Sequence, residues 1–194
     1  MDNNIFVFCG KSATGKSSIV KCLLEKIPES VQVKADTTRP KRSSRDKEYN
    51  FISEKAFISK ADSGEYVKPN VFRGWYYGLP GKIFLQKKNN FCIATPSELL
   101  SIKEAFKGWN VYVIYLDAPT KLRLERSIAR KGRLSFEHLR RLITDEKDFR
   151  GIDKILKEEF EEENVFSPVQ YKGKSLLLTA YEISQFIQGK ILER

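Results

Sequence analysis

The segment from residue 10 to residue 17 has the residue types and the spacing of a phosphate-binding loop. Its sequence, G-K-S-A-T-G-K-S, fits the pattern G-x-x-x-x-G-K-[ST] at every fixed position. Gly10 and Gly15 allow the tight turn in which successive backbone N–H groups converge on a β-phosphate. Lys16 would bring positive charge to the β- and γ-phosphates, and the hydroxyl of Ser17 would be a ligand of Mg²⁺. The loop therefore predicts that the chain binds ATP together with Mg²⁺.

The segments on either side of this loop have the order that a phosphate site requires. Residues 5–9 form a short apolar run, which is typical of a buried parallel strand. Residues 17–27 carry apolar side chains at helical spacing, and Pro28 ends the helix. The positive end of the helix dipole would add to the attraction for phosphate. The predicted ATP-binding residues are Gly10, Lys11, Ser12, Ala13, Thr14, Gly15, Lys16, Ser17 and Ser18.

An irregular, basic segment follows between residues 31 and 79. Ser53 is positioned to cap one short helix that runs to about residue 61. Short β-like pieces alternate with turn-rich stretches, at residues 31–33, 49–52, 66–67 and 71–72. We interpret this segment as a substrate-binding lobe inserted into the main domain.

The alternation of strands and helices then resumes. Strands are predicted at residues 91–94 and 111–116. Helices are predicted at residues 96–106, 119–130, 136–149, 152–162 and 181–191, with a weak apolar run at residues 176–178. The pattern predicts an α/β fold in which one parallel sheet is covered by helices.

Composition and charge limit the classes of function. The 194 residues suffice for one α/β domain, and no apolar stretch approaches the ~20 residues that span a membrane. No signal peptide is recognisable, the cysteines form no metal-binding spacing, and His138 is the only histidine. We therefore expect a cytoplasmic protein without a zinc site. The net charge of +10 indicates a polyanionic partner, either nucleic acid or small phosphorylated molecules.

Three segments beyond the loop resemble motifs of the guanylate kinase family. Residues 37–42, T-T-R-P-K-R, resemble the family's TTRxPR segment, in which two arginines three positions apart hold the acceptor monophosphate. Residues 47–51, K-E-Y-N-F, resemble its K-D-Y-x-F segment, whose tyrosine also binds that phosphate. Residues 74–78, G-W-Y-Y-G, resemble its G-N-Y-Y-G turn. The resemblance runs from residue 5 to about residue 142, which is most of the chain.

The resemblance implies a nucleoside monophosphate kinase that uses ATP and Mg²⁺, on a P-loop NTPase-type parallel sheet. It implies a single domain over residues 1–194, with a core at 1–34 and 80–194, a monophosphate-binding lobe at about 35–79 and a lid at about 126–141. We expect ATP and a nucleoside monophosphate as partners, no membrane, and a monomer or a homodimer. Direct nucleic-acid binding is the least favoured interpretation, because the arginines cluster where a kinase would need them.

The resemblance also implies the residues of the acceptor site and the lid. Fixed cations must offset the repulsion between two polyanionic nucleotides. The implied catalytic residues are Lys16, Arg39, Arg130 and Arg141, and the acceptor-binding positions are Ala35, Arg39, Arg42, Tyr49, Lys68, Tyr77 and Leu79. Arg133 and Arg140 are alternatives for the lid, because Lys131 adds a residue before Gly132. Arg126 is either a further lid arginine or a surface residue of its helix that pairs with Glu125.

The chain departs from the family where guanine would be recognised. Ala35 and Leu79 stand at positions of small hydroxyl side chains, and Lys68 stands at the position of a glutamate. Residues 94–97, A-T-P-S, replace the family's acidic L-D-x-D segment, although Thr95 and Ser97 would fill part of the space. An ammonium cannot accept hydrogen bonds from the N–H groups of guanine. We therefore hypothesise that guanine is not read in the usual way and that uracil or thymine would suit Lys68.

Two aspartates are candidates for the missing acidic role. Asp117 could orient a Mg²⁺-bound water, or it could cap the helix that follows. Asp36 lies beside the segment that resembles the phosphate-binding arginines. The alternatives to a nucleotide kinase are a kinase for a modified-base or non-nucleotide phosphorylated acceptor, and a catalytically silent protein-binding domain. The complete phosphate loop argues against the silent domain.

Overall fold

The computed structural model describes residues 3–41, 44, 46–47, 49–72, 74–84, 86, 88–132, 136–170 and 174–193, with the backbone alone at Phe72, Arg130, Lys131, Glu137 and His138. The strands within these ranges are β1 (Asn4–Cys9), β2 (Ser30–Val33), β3 (Asp36–Thr37), β4 (Asn50–Phe51), β5 (Asn70–Phe72), β6 (Trp75–Gly78), β7 (Asn89–Ala94), β8 (Asn110–Tyr115) and β9 (Val165–Phe166). The α-helices are α1 (Lys16–Leu24), α2 (Glu54–Asp62), α3 (Pro96–Ala105), α4 (Thr120–Lys131), α5 (Phe136–Asp148), α6 (Ile152–Glu159) and α7 (Leu176–Leu192).

β1 lies at the centre of a five-stranded parallel sheet with the order β2-β7-β1-β8-β9. The chain leaves β1 for the edge strand β2, returns through β7 and continues on the other side in β8, so the strand order reverses at β1. In open α/β sheets the ligand-binding crevice lies outside the carboxyl ends of the strands at such a reversal. The predicted parallel sheet is confirmed, and the loop after Cys9 occupies this crevice.

Side chains of β1 divide between two apolar layers, because successive residues of a strand face opposite sides of the sheet. Ile5 and Val7 pack into one cluster with residues of α3 and α6, whereas Phe6 and Phe8 pack into another with α1 and α7. All four side chains are fully buried. Burial on both faces explains why β1 is a continuous apolar run rather than an alternating one.

A second sheet, of four short strands in the order β4-β3-β6-β5, is built from residues between 36 and 78. α2 lies beside it, and its predicted cap is confirmed, since the Ser53 hydroxyl accepts a hydrogen bond from the Ala56 N–H at 3.2 Å. Asp36 is buried here, and its carboxylate accepts hydrogen bonds from Lys60 Nζ at 2.7 Å and Tyr66 Oη at 2.9 Å. These contacts bind Asp36 into the packing of the second sheet.

Short strands were the least predictable elements. The segment expected to be a turn, residues 74–78, turns only at Gly74 (φ 76°) and continues as β6 between β5 and β3. β9, which was not predicted, has two residues and pairs with β8. The predicted strand at residues 66–67 is instead a single bridge between Tyr66 and Pro80. Strands of two to four residues are too short to show a hydrophobic periodicity. Their partner strands stabilise them, and those partners are not visible in the local sequence.

Several predictions about helix ends were wrong. α1 ends at Leu24 rather than at residue 27 before Pro28, and α6 ends at Glu159 rather than at residue 162. α7 begins at Leu176 rather than at residue 181, with Ser175 as its cap. Its first turn has no helical apolar spacing, since residues 176–178 are all leucine and two of them are exposed. Asp117 does not cap α4, whose cap position is Pro119, and Asp117 itself is exposed. None of the helices in the described ranges is long and apolar enough to cross a membrane.

Candidate active site

The loop between β1 and α1 has the backbone conformation of an anion-binding loop. Gly10 runs against the end of β8, where a Cβ on this residue would lie 2.3 Å from the carbonyl oxygen of Leu116. Only glycine fits at that distance. Ala13 and Gly15 have φ values of 64° and 101°, in the left-handed region. Turns of this kind point successive N–H groups into one concavity, where an anion can accept from several of them.

Lys16 begins α1, and its side chain folds back into the loop. Its ammonium donates to the carbonyl oxygen of Gly10 at 2.5 Å and to that of Lys11 at 3.0 Å. The hydroxyl of Thr14, a fully buried residue, donates to the same Lys11 oxygen at 3.0 Å. The ammonium is therefore held at the concavity by neutral carbonyls, and phosphate oxygens would be stronger partners because they are charged.

Ser17 is suited to bind Mg²⁺ beside phosphate. It lies in the first turn of α1 and is half-buried. Across the described part of the chain, no group of three or more His, Cys, Asp or Glu side chains could hold a metal ion alone. Mg²⁺ usually takes one or two protein oxygens and completes its shell with phosphate oxygens and water. A single hydroxyl next to the loop fits that coordination chemistry.

Two carboxylates of α5 bind this loop, and sequence analysis missed both. Asp145 accepts hydrogen bonds from the backbone N–H of Ser12 at 2.8 Å and from its hydroxyl at 3.0 Å. Glu146 pairs with Lys11 at 2.8 Å, and this hydrogen bond holds the pKa of Glu146 below its ordinary value. Arg123 of α4 is fully buried and pairs with both carboxylates at 3.0 Å. These residues lie far apart in sequence, so no local pattern links them.

Arg126 of α4 also contacts the loop. Its Nη1 donates to the carbonyl oxygen of Thr14 at 3.1 Å and to Gln170 Oε1 at 2.8 Å. Burial lowers the pKa of the Arg126 guanidinium from its ordinary value. Arg126 therefore lies against the phosphate loop and is not a solvent-facing residue paired only with Glu125.

The other predicted lid arginines are described in part. Arg141 is half-buried on α5, the helix that carries both loop-binding carboxylates, and Arg140 is exposed on the same helix. For Arg130 the backbone alone is described, within α4, and Arg133 lies outside the described residues. Arg141 thus lies on the same helix as the two carboxylates that contact the phosphate loop.

Arg39, just after β3, is the best-defined predicted acceptor residue. Its Nη2 pairs with Asp46 Oδ2 at 3.0 Å, and both side chains are nearly buried. The guanidinium lies 5.5 Å from the ring centroid of Tyr49 and 5.2 Å from that of Phe51. Its Nε is buried and has no hydrogen-bond partner among the described residues. A buried donor of this kind favours an anion that can accept from it.

The predicted tyrosines lie next to Arg39. The ring centroids of Tyr49 and Tyr77 are 5.6 Å apart. Tyr77 on β6 pairs in register with Thr37 of β3, two residues before Arg39. The structure therefore brings together three of the predicted acceptor-phosphate residues, and Arg42 lies outside the described residues.

The positions predicted to face the acceptor base differ in their surroundings. Leu79 is buried in the apolar cluster on the α3 side of the main sheet, and Ala35 and Val67 pack against that cluster. The Val67 N–H donates to the carbonyl oxygen of Leu79 at 2.9 Å. Lys68, the next residue, is exposed.

Glu98 is a half-buried carboxylate that sequence analysis did not assign to the site. Its Oε2 accepts hydrogen bonds from the N–H and the hydroxyl of Thr95, at 2.7 and 2.8 Å, and caps α3. Its Oε1 lies 3.5 Å from the amide nitrogen of Asn70 on β5, the residue paired with Tyr77. Burial raises the pKa of Glu98, and the hydrogen bonds from Thr95 oppose that rise. The T-x-x-E capping pattern could have located this residue.

Comparisons with known proteins identify similar chains. The family model described as guanylate kinase matches residues 2–166. The guanylate kinase of Thermotoga maritima is 30% identical over 139 residues, which are 68% of this chain and 66% of that protein, just under two thirds of its length. The guanylate kinase of Nostoc sp. is 26% identical over 170 residues, 83% of this chain and 85% of that protein.

A solved structure shows the same fold. The crystal structure of guanylate kinase from Anaplasma phagocytophilum matches with a TM-score of 0.64 at 18% identity, over 98% of this chain and 87% of that one. At this identity the match concerns the fold alone. It confirms the predicted P-loop NTPase-type sheet flanked by helices.

Proposed function

Because the chain belongs to the guanylate kinase family of nucleoside monophosphate kinases, we propose that it transfers the γ-phosphoryl group of ATP to a nucleoside monophosphate. The observation that carries this proposal is the phosphate loop at the strand-order reversal, with the Lys16 ammonium folded into it. The group of Arg39, Tyr49 and Tyr77 supplies a second anion site of a different kind. A silent protein-binding domain would need neither site.

The donor half of the reaction rests on the loop. Lys16 and the backbone N–H groups would bind the β- and γ-phosphates. The hydroxyl of Ser17 would hold Mg²⁺, which supplies neutralisation of phosphate charge when bound. The remaining predicted ATP residues, from Gly10 to Ser18, would shape this pocket.

The acceptor half needs no side-chain nucleophile. An oxygen of the acceptor monophosphate attacks the γ-phosphorus, and the bond to the β-phosphate oxygen breaks as ADP leaves. Arg39 would orient the attacking phosphate through its free Nε and its planar N–H groups, helped by Arg42 and the two tyrosines. Arg130 and Arg141 would offset the charge that the two nucleotides bring together.

In this proposal the acceptor base is guanine, and Glu98, whose Oε2 is held by the two Thr95 donors, offers Oε1 to an N–H group of the base. Glu98 Oε1 is directed at Asn70, beside the strand that carries Tyr77, so it lies on the acceptor side of the main sheet. A carboxylate oxygen can accept two hydrogen bonds, so Oε1 can accept one from the base beside its 3.5 Å contact with Asn70. Lys68 is exposed, which weakens the case for uracil or thymine.

A coupled ATP-turnover assay with purified protein tests the proposal. All common ribo- and deoxyribonucleoside monophosphates are tested in parallel, each with and without Mg²⁺. Guanosine or deoxyguanosine monophosphate is expected to be the best acceptor. A uracil or thymine nucleotide as the best acceptor would restore Lys68 as the specificity residue. ATP binding without turnover of any acceptor would point to a modified-base or non-nucleotide acceptor, or to a silent domain.

A further inference from the structure

The contact between α5 and the phosphate loop is centred on a buried and fully hydrogen-bonded carboxylate, that of Asp145. Asp145 is buried, and both of its oxygens are used. Oδ2 accepts from the Ser12 N–H at 2.8 Å and from Arg123 Nη1 at 3.0 Å, while Oδ1 accepts from the Ser12 hydroxyl at 3.0 Å. Glu146 extends the contact by pairing with Lys11 and Arg123. The two carboxylates and the two cations balance in charge, so the cluster leaves no net charge beside the loop.

Asp145 binds a part of the loop whose conformation matters for phosphate. Ser12 directly precedes Ala13, whose φ of 64° is in the left-handed region. Two hydrogen bonds to Ser12 hold the chain where this unfavourable conformation begins. The Ser12 N–H is occupied by the carboxylate, so the N–H groups that remain to bind phosphate are those farther along the loop.

The same contact determines where Arg141 lies. Residues four apart on an α-helix share one face, about 6 Å apart along the axis. Arg141 precedes Asp145 by four residues and is half-buried on α5. A helix bound to the loop at Asp145 therefore presents Arg141 one turn away along the same face.

We propose that Asp145 is a positioning residue, which fixes α5 on the phosphate loop and thereby places Arg141, one turn earlier on the same helix, over the transferring phosphoryl group. Its effect passes through Ser12 and Arg141, and it does not itself touch the nucleotide. The proposal rests on the proposed kinase function for its kinetic readout, but the contact itself can be tested without turnover.

The first test is a double-mutant cycle on kcat. Asp145→Asn keeps the size of the side chain but replaces one accepting oxygen with an N–H₂ group. It should lower kcat about tenfold or more and change the KM for ATP less than about threefold. Arg141→Ala should lower kcat more than about tenfold in the wild type but less than about threefold in the Asp145→Asn background. Asp148→Asn, the same charge change at an exposed position of α5, should leave kcat unchanged.

Two kinetic outcomes would overturn the proposal. If Arg141→Ala has its full effect in both backgrounds, Asp145 does not act through Arg141. If Asp145→Asn lowers the KM for ATP without reducing kcat, Asp145 competes with phosphate for the loop. Should Asp145→Asn fail to fold, Ser12→Ala, which removes only the bond to Oδ1, should shift kcat in the same direction by a smaller factor.

Hydrogen–deuterium exchange is the second test, and it separates this inference from the proposed function. Asp145→Asn should increase exchange in residues 10–17 and in α5 together, whereas Asp148→Asn should not. Unchanged exchange in either segment would overturn the positioning contact. A wild-type protein that turns over no acceptor would refute the proposed function, and the exchange result would still decide whether Asp145 couples α5 to the loop.

Discussion

Arg39 and Asp46 form an ion pair, 3.0 Å between Nη2 and Oδ2, with side chains only 8% and 6% exposed. Removing one partner leaves a buried charge without its counter-ion, which costs about 3–5 kcal/mol in other proteins. We expect Asp46→Asn to lower the free energy of unfolding by about 3 kcal/mol, measured by urea denaturation. The matched control is the solvent-exposed pair of Lys154 and Glu158, where Glu158→Gln should cost less than about 1 kcal/mol.

A double-mutant cycle distinguishes the pair from two independent residues. Arg39→Ala and Asp46→Asn together should cost clearly less than the sum of the single changes. Strict additivity would mean that the pair contributes nothing as a pair.

Arg39→Ala should also raise the KM for the acceptor more than that for ATP, and the reverse order would remove Arg39 from the acceptor site.

Lys16→Ala should abolish most of the ATP turnover while leaving the fold intact. Its ammonium is the cation that folds into the loop concavity, and a phosphate-loop lysine stabilises the charge of the transferring group. Lys21→Ala, at an exposed position of the same helix, should retain wild-type turnover. The comparison uses steady-state rates at saturating ATP, with circular dichroism of both variants. Retained turnover in Lys16→Ala would contradict the assignment of the loop.

Gly10→Ala should prevent the loop from adopting its native path. The added Cβ would meet the Leu116 carbonyl oxygen at 2.3 Å, and a backbone atom cannot move aside as a side chain can. We expect a loss of stability of more than about 1 kcal/mol and loss of ATP-induced thermal stabilisation. Gly189→Ala in α7, where nothing lies within 4 Å of the new Cβ, should instead stabilise by up to about 1 kcal/mol. Normal ATP binding by Gly10→Ala would show that the loop tolerates displacement.

Glu98→Gln should weaken discrimination of the acceptor base. The amide can accept one hydrogen bond from guanine but presents a donor where the carboxylate presents an acceptor. We expect kcat/KM for guanosine monophosphate to fall about tenfold or more, with a smaller change for ATP. The matched control is Glu104→Gln, at an exposed position of α3. An unchanged preference for guanine would exclude Glu98 as the base-reading residue.

The pH dependence of acceptor binding should also report on Glu98. Burial raises the pKa of this carboxyl, so protonation begins at a higher pH than for an ordinary glutamate, near 4.3. Only the ionised form presents both oxygens as acceptors, Oε2 to Thr95 and Oε1 to the base, and the KM for guanosine monophosphate should therefore rise as the pH falls through the raised value. Glu98→Gln should remove this dependence. A KM profile that is identical in the two proteins would contradict the prediction.

The raised pKa of Glu98 has the opposite effect on the stability of the fold, which decreases as the pH rises. Because the folded state binds this proton more tightly than the unfolded state, ionisation of Glu98 costs stability as the pH rises from the unfolded to the folded pKa. Asn70 and the Thr95 groups reduce that cost by donating to the carboxylate. The cost of ionising Glu98 is therefore smaller than burial alone would make it.

The motifs of this chain were predictable because their chemistry is local. The phosphate loop, the strand before it and the helix after it lie within about twenty-five consecutive residues, and their residue types follow from backbone geometry and burial alone. The same holds for the Ser53 cap. The approach of Arg39 to Tyr49 and Tyr77 was expected only through the family resemblance, because β3 and β6 pair across a long segment.

The tertiary contacts could not be read from spacing. Asp145 meets Ser12 across 133 positions of sequence, and Glu98 of α3 approaches Asn70 of β5 across 28 positions. Neither carboxylate stands at a position where the family motifs place one. The sequence therefore suggested that the nucleotide-binding site lacked acidic groups. The ion pair of Arg39 with Asp46 was missed as well, because charged residues in a basic segment normally indicate solvent exposure.

The sequence by itself determined the fold class, the phosphate loop and the family, because backbone turns, hydrophobic periodicity and motif spacing are local properties. Only the tertiary structure decided which charges surround that loop and the acceptor site. Hydrogen bonds and ion pairs act over about 3 Å in space without regard to sequence distance, so their partners appear only once the sheets and helices have packed.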